Sequence, residues 1–216
     1  MTIGKGTITL KKLLSSNECE FVSLGYNCDV AQLLRYSGLR KKAYPFDWCI
    51  TPNRSVIKVI ENDFNGFFDL NNITFSEPHK AALFEGEDGL VVESDKVVVT
   101  AYCGKYGMIF PHDLFDGDMY EGVADKYNKR IDRFLNLTKE SKIVVFIFNP
   151  ESESESAFFT ESLRACLSLK FSMLEFYVYS LDELERAVNR SLKRSVLKFF
   201  NRKAQRINQF FSRKFN

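Results

Sequence analysis

A run of apolar residues, Ile143–Phe148, constrains the fold of this 216-residue chain more than any other feature of its sequence. Its Val, Ile and Phe residues favour a strand, and an unbroken apolar run indicates that both faces of that strand are buried. The run is far shorter than the ~20 residues that span a bilayer. Asn149 and Pro150 follow it and end the strand. The sequence therefore predicts a central, largely parallel sheet with cover on both sides.

Segments of strand and helix pattern alternate around this run. The alternation predicts an α/β layered fold with a central, mostly parallel sheet flanked by helices, a small inserted strand region and a C-terminal helical tail. We expect the strands 90–92 and 96–101 to form a hairpin and the Glu-Ser run 151–156 to be a solvated loop. The predicted strands are 20–25, 90–92, 96–101, 106–110, 142–148 and 173–179, and the predicted helices are 29–37, 55–62, 121–137, 158–169 and 181–216.

Charge divides the chain unevenly, although its net charge is only +2. Ten of the 30 Lys and Arg residues lie between Arg186 and Asn216, a stretch without Asp or Glu. The other 20 stand against 28 acidic groups, so residues 1–185 carry a net charge of −8. We predict an N-terminal segment (1–19), an α/β domain (20–180) and a basic amphipathic helical tail (181–216).

The tail repeats apolar residues at spacings of three and four among its basic residues. This pattern is typical of a helix that lies on an anionic membrane surface, here through residues 190–216. The alternative is that the stripe packs on the acidic body or on a second subunit. Specific nucleic-acid binding is not expected, because the body would repel it. Since the first residues lack the apolar stretch of a signal peptide, we expect a cytoplasmic protein, peripheral at the inner face of the membrane.

The five cysteines show no CxxC spacing, and the chain has two histidines. These counts favour reduced thiols over a disulfide framework, and they leave few residues that could act as ligands of a metal site. We expect no metal and no bound cofactor.

One thiol occupies a reactive position. Cys28 follows the strand 20–25 and opens a helix, in the turn Gly25-Tyr26-Asn27-Cys28. Ligands of parallel sheets sit at the carboxyl ends of the strands, and the positive end of a helix favours a thiolate. The amides there could also stabilise an oxyanion. The structural alternative is a buried cysteine that tolerates a tight turn.

Candidate partners for this thiol lie elsewhere in the sequence. His112 ends a strand and precedes Asp113, as suits a general base and the group that orients it, although both residues could simply face water. Asp47 stands between two large aromatics and could orient His112 or Arg35, or could cap a turn. The residues that we assign to substrate binding are Asn27, Arg35, Trp48 and Arg130.

The same residues carry a resemblance to a known family. The stretches are 22–28 (VSLGYNC), 30–31, 34–35, 38–40, 43–48 (AYPFDW), 62–64, 112–113 and 127–134. In this order they resemble a bacterial family of unknown function that is labelled papain-like cysteine peptidase, over residues 20–180. The resemblance implies a cysteine hydrolase, a peptidase or esterase, with Cys28 as nucleophile and His112 as base.

Two other functions remain open. The same site could pass an acyl group from an acyl thioester, such as acyl-CoA, to a surface polysaccharide or its lipid-linked precursor, because members of the family occur among surface-glycan genes. Alternatively the domain could bind a carbohydrate or partner without catalysis. The expected substrate is an acylated small molecule, a peptide or a glycan.

Overall fold

Strands and helices alternate along the chain. A computed structural model describes residues 9–80, 84–85, 91–92, 97–115 and 120–191. In chain order the elements are α1 (Leu10–Leu14), β1 (Cys19–Ser23), α2 (Asp29–Tyr36), α3 (Asn53–Glu61), β2 (Ile73–Phe75), β3 (His79–Lys80), β4 (Phe84–Glu85), β5 (Val91–Val92), β6 (Val97–Cys103), β7 (Met108–Phe115), α4 (Tyr120–Leu135), α5 (Leu137–Glu140), β8 (Ile143–Phe148), α6 (Glu153–Lys170), β9 (Glu175–Ser180) and α7 (Leu181–Ser191).

The apolar strand β8 lies in the middle of a three-stranded sheet with the order β1-β8-β9. Both pairings are parallel, so that Val145 lies opposite Phe21 on one side and Tyr177 on the other. Residues 144–148 are at most 2% exposed. The prediction of a central parallel sheet with cover on both faces is confirmed. Strand β8 is buried on both faces because none of its side chains is polar.

The two faces of the sheet support two separate cores. On one face α1, α2 and α7 pack against Phe21, Val145 and Ile147. On the other face α3, α4 and α6 pack against Val22 and the even-numbered residues of β8 in a core rich in aromatics. Successive side chains of a strand point to opposite faces, which is why one apolar strand serves both cores.

The inserted strands form an antiparallel sheet around β6. Strands β2 and β3 pair with β6 along one edge and β7 pairs with it along the other, while β4 pairs with β5. The small inserted strand region is confirmed, but the predicted hairpin of 90–92 with 96–101 is wrong, because β5 pairs with β4 and not with β6. Alternation of apolar residues marks a strand but does not specify its partner.

Two other boundaries differ from the prediction. Helix α6 begins at Glu153, inside the run 151–156 that we expected to be a loop. Ser152 is its N-cap, and Ser is one of the residues that favour this position. Helix α7 confirms the helix after Leu181, whereas residues 192–216 and their apolar stripe lie outside the described residues. Within the described part of the chain, no helix is long and apolar enough to cross a membrane.

The turn after β1 requires a glycine. Gly25 has φ +84°, and a Cβ built on it would lie 3.3 Å from Cβ of Thr51. Gly38 also has a positive φ, +70°, but a Cβ there would meet nothing within 4 Å. Gly38→Ala therefore changes only the backbone strain, and Gly25→Ala adds a close contact.

We predict that Gly38→Ala lowers the free energy of unfolding by about 1 kcal/mol and Gly25→Ala by about 2 kcal/mol or more. Urea unfolding of both variants measures the difference. Equal losses would mean that the contact between Gly25 and Thr51 is not tight.

Candidate active site

The carboxyl ends of β1 and β8 form a crevice in which the connections diverge. The chain leaves β1 to enter α2 on one face of the sheet, and it leaves the neighbouring β8 to enter α6 on the opposite face. A crevice opens where adjacent parallel strands send their connections to opposite faces, and ligands of α/β proteins bind there. Cys28 lies in the first of these two connections.

Backbone hydrogen bonds hold the turn after β1 against the end of β8. The amide of Leu24 donates to the carbonyl of Ile147 (2.9 Å), and the amide of Asn149 donates to the carbonyl of Gly25 (3.1 Å). Tyr26 forms an antiparallel bridge with Thr51, whose amide donates to the Tyr26 carbonyl (2.9 Å). The turn is therefore fixed on two sides before the helix begins.

Asn27 joins the two connections of the crevice. Its Oδ1 accepts from the backbone amide of Asp29 (3.1 Å) and from Nδ2 of Asn149 (3.2 Å). Its Nδ2 donates to the Asp29 carboxylate (2.7 Å). These contacts give Asn27 a positioning role in the protein itself, and its predicted role in substrate binding stays a prediction.

Cys28 is the N-cap residue of α2, and its carbonyl accepts the first helical hydrogen bond, from the amide of Gln32 (2.9 Å). All five cysteines lie within the described residues, and Cys28 is partly exposed while the other four are buried. Burial raises the pKa of Cys103 and raises that of Cys166 to about 11. Cys28 is therefore the accessible thiol of the protein.

Two residues of this crevice were missed by the sequence analysis. The backbone amide of Asn53, the first residue of α3, donates to the carboxylate of Glu151. With its side-chain amide turned to satisfy both partners, Asn53 donates to the Asn149 carbonyl (3.2 Å) and accepts from the Glu151 amide (3.0 Å). The rule that singled out Cys28 also applies to residues 149–151, because they follow the carboxyl end of β8.

His112 and Asp113 lie in β7, at an irregularity of its pairing with β6. Phe110 pairs with Ala101 and Leu114 pairs with Val99, so three residues of β7 stand opposite one residue of β6. Bulges of this kind re-aim side chains and occur often beside active sites. The side chains of His112 and Asp113 lie outside the described part of the structure, so their pairing with Cys28 stays a prediction.

A short segment links β7 to the turn that carries Cys28. Ile50 forms an antiparallel bridge with Ile109 of β7, and the next residue, Thr51, forms the bridge with Tyr26. Adjacent strands lie about 4.8 Å apart. The segment of Ile50 and Thr51 lies between β7 and the Cys28 turn, so these two backbones are roughly two strand spacings apart at the bridges.

The other histidine, His79, is exposed. Its Nδ1 lies 3.1 Å from the Glu77 carbonyl, and its Nε2 lies 3.4 Å from Oγ1 of Thr100. These contacts hold it at the edge of the antiparallel sheet.

Asp47 forms a buried ion pair with a residue that the sequence analysis did not single out. Its Oδ2 lies 3.0 Å from Nε of Arg40 and accepts from the Tyr44 amide (3.0 Å), and its side chain is 1% exposed. The guanidinium of Arg40 also lies 5.2 Å from the ring centroid of Trp48. Burial outweighs these favourable contacts and raises the pKa of Asp47 to about 6.

The structure does not bring Arg35 or Arg130 to Cys28. Arg35 is exposed in the last turn of α2, at the opposite end of that helix from Cys28. Arg130 lines a cavity together with Ala43. Two residues before Ala43, the side chain of Lys41 donates to the carbonyl of Cys19 (2.9 Å), at the start of β1. Arg130 therefore lies towards the amino edge of the sheet. Roles for Arg35, Trp48 and Asp47 in substrate binding or catalysis stay predictions.

Comparison with known proteins gives the family. The model of the family described as "Putative papain-like cysteine peptidase" matches residues 19–180. The chain belongs to this family. It is also 33% identical over 170 residues to "Uncharacterized protein R408" of Acanthamoeba polyphaga mimivirus, a match that covers 74% of this chain and 73% of the viral protein. This relative is viral, so it gives no support to the bacterial origin that the resemblance implied. No solved structure matches the chain.

The buried carboxyl group of Asp47 predicts a dependence of stability on pH. Because its folded pKa, about 6, lies above its ordinary value, folding favours the protonated form. The stability that Asp47 contributes is fully present below pH ~4 and is lost as the pH rises through ~6.

We expect the difference in unfolding free energy between the wild type and Asp47→Asn to fall between pH 4 and pH 6. Urea unfolding across this range measures it, with the exposed Asp132→Asn as the matched control. A difference that is constant with pH, or one that Asp132→Asn reproduces, would contradict the assignment.

Proposed function

We propose that this protein is a thiol-dependent acyl-transfer enzyme, a cysteine hydrolase in which Cys28 is the nucleophile and His112 is the general base. One observation carries the proposal: the accessible thiol of the chain stands at the N-terminus of a helix, in the crevice between β1 and β8. The family to which the chain belongs is described as a cysteine peptidase, which agrees with a thiol nucleophile.

The start of α2 suits the charge that develops during acyl transfer. The first amides of a helix have no partner within the helix, and they point towards its N-terminus. The Asn27 side chain accepts a hydrogen bond from the backbone amide of Asp29 and donates one to the Asp29 carboxylate. The following amides and the helix dipole would stabilise a thiolate and then the oxyanion of a tetrahedral intermediate.

His112 would complete the reaction. In the proposed cycle it takes the proton of the Cys28 thiol, and the sulfur attacks the carbonyl carbon of the substrate. The tetrahedral intermediate collapses as His112 returns the proton to the leaving group, which leaves an acyl thioester on Cys28. His112 then deprotonates the acceptor as its oxygen attacks the carbonyl carbon of the thioester. The C–S bond breaks, the acyl group passes to the acceptor, and the sulfur of Cys28 regains its proton from His112. The irregular pairing of β7 at 111–113 and the bridges through Ile50 and Thr51 support this choice of base.

A cavity of about 320 Å³ beside the crevice offers room for the substrate. Phe148 and Pro150, which flank Asn149, line it together with polar side chains of α6, of α7 and of the end of β9. Among these are hydroxyl and charged groups, from Ser156, Thr160, Ser180, Asp182, Glu183 and Arg186. Water or the hydroxyl of a glycan can accept the acyl group. Hydrolysis and transfer to a glycan share every step up to the acyl-enzyme.

We predict that incubation with activated esters and with acyl thioesters, acyl-CoA among them, adds one acyl group to Cys28. Intact-mass spectrometry followed by peptide mapping measures the adduct. Cys28→Ala should remove it, and His112→Asn should slow its formation by about 100-fold or more, because a positioned base contributes that much. The exposed His79→Asn is the matched control and should acylate like the wild type.

An adduct that persists in Cys28→Ala would contradict the choice of nucleophile. Equal rates for the two histidine variants would contradict the choice of base. A folded wild type that gives no adduct with any donor would favour a binding module. When the adduct forms, its fate in water, compared with its fate in the presence of a sugar acceptor, separates hydrolysis from transfer.

A further inference from the structure

Asn149 brings a second side-chain amide, besides that of Asn27, into the crevice between β1 and β8. It directly follows β8, and it is only partly exposed. Its backbone amide donates to the carbonyl of Gly25 (3.1 Å), in the turn that leads to Cys28. Asn149 therefore forms the wall of the crevice on the side of β8.

The side chain of Asn149 lies on the same face of the sheet as α2. Successive residues of a strand point to opposite faces, and Val145 and Ile147 of β8 belong to the core that α2 covers. Asn149 continues this odd-numbered series, and its contact with Asn27 agrees with that direction. Its amide is thus on the side of the sheet where Cys28 opens α2.

Asn27 fixes the orientation of the Asn149 amide. The two hydrogen bonds of Asn27 with Asp29 leave its carboxamide one orientation, with Oδ1 accepting and Nδ2 donating. Only a donor can approach that Oδ1, so Asn149 presents Nδ2 to it. Nδ2 of Asn149 and the amide nitrogen of Asp29 both lie within 3.2 Å of this oxygen. Since the second nitrogen belongs to the peptide bond between Cys28 and Asp29, the Asn149 amide lies beside the backbone of the proposed nucleophile.

The structural contacts of residue 149 do not require an asparagine. The backbone of any residue would donate to Gly25 and would accept from the side chain of Asn53. Asn27 is oriented by its two bonds with Asp29 and does not need Asn149 for that purpose. A side-chain amide carries two hydrogens on its nitrogen. One of those of Asn149 is bound to Asn27, and no acceptor among the described residues takes the other.

The neighbours of Asn149 hold this amide in place before a substrate arrives. Pro150 restricts the residue before it to extended backbone conformations. Phe148, on the other side, is 2% exposed and packs in the aromatic core. The backbone of Asn149 is therefore fixed from both sides, and its side chain is fixed by Asn27. A donor that is already oriented needs no reorganisation when negative charge develops beside it.

We propose that Asn149 is a catalytic residue, whose Nδ2 donates a hydrogen bond to the oxyanion of the tetrahedral intermediate on Cys28. This role rests on the proposed acyl transfer. As the sulfur attacks the carbonyl carbon, the electron pair of the C=O bond moves to the oxygen, which becomes negatively charged. The second N–H of Asn149 and the free amides at the start of α2 bind that oxygen. The hydrogen bonds weaken when the C=O bond re-forms and the leaving group departs, and no proton passes to or from Asn149.

Two reactions of the same thiolate separate this role from a structural one. Acylation of Cys28 by p-nitrophenyl acetate passes through an oxyanion, whereas alkylation by iodoacetamide displaces iodide directly and forms none. Both reactions consume the thiolate, so the ratio of their rates at one pH does not depend on the pKa of Cys28. Intact-mass spectrometry with peptide mapping measures both rates on the full chain.

We expect Asn149→Ala to lower the rate of acylation relative to that of alkylation by about 100-fold or more, the typical loss when one oxyanion donor is removed. Asn149→Asp keeps the shape of the side chain but has no N–H when it is ionised, so it should lower the ratio as well. It serves as the second variant if Asn149→Ala does not fold, which thermal melting shows. The matched control is Asn62→Ala, which removes an exposed asparagine at the end of α3 and should leave the ratio unchanged.

An unchanged ratio in the folded Asn149 variants would overturn the proposal. This includes an equal loss of both rates, because such a loss would mean that Asn149 acts only by holding the turn of Cys28. A wild type that is alkylated at Cys28 but is not acylated by any activated ester would overturn the proposed acyl transfer, and this role with it. A wild type that is acylated as fast as its Asn149 variants would overturn the role of Asn149 alone, so the two failures are distinguishable.

Discussion

The burial of β8 on both faces is the constraint on which the rest of the structure depends. A strand of six apolar residues must be covered on both sides, and two sets of helices provide the cover. Because β1 leads into α2 on one face and β8 leads into α6 on the other, the chain separates at their carboxyl ends. The crevice that holds Cys28 is thus a consequence of the apolar sequence of β8.

The parts of the fold that local sequence determines could be predicted. The apolar run at 143–148 and the Gly-Tyr-Asn-Cys turn each depend on a few adjacent residues, and both lie where the sequence places them. The partner of β5 could not be predicted, because β4 and β6 lie at similar distances from it along the chain and alternation of apolar residues does not choose between them. The start of α6 was missed because Glu and Ser are common both in loops and in first helical turns.

The same distinction between local sequence and distant contacts applies to the residues of the candidate site. Cys28 could be singled out because it stands next to a strand and a helix that the sequence marks. The ion pair of Asp47 with Arg40 could not, since nothing in the local pattern distinguishes Arg40 from Arg35 as the partner. Asn53 and Glu151 are 98 residues apart and meet only in the folded chain.

The pH dependence of alkylation at Cys28 tests the central claim most directly. Iodoacetamide labelling, with the site read by peptide mapping, gives the rate at each pH. Our account predicts that Cys28 reacts before Cys19, Cys49, Cys103 and Cys166, and that its rate is half-maximal well below pH ~8.5, the ordinary value for a free thiol. His112→Asn should move the midpoint back towards that value. A midpoint at or above pH ~8.5 in the wild type, or labelling of Cys28 no faster than that of the four buried cysteines, would contradict the account.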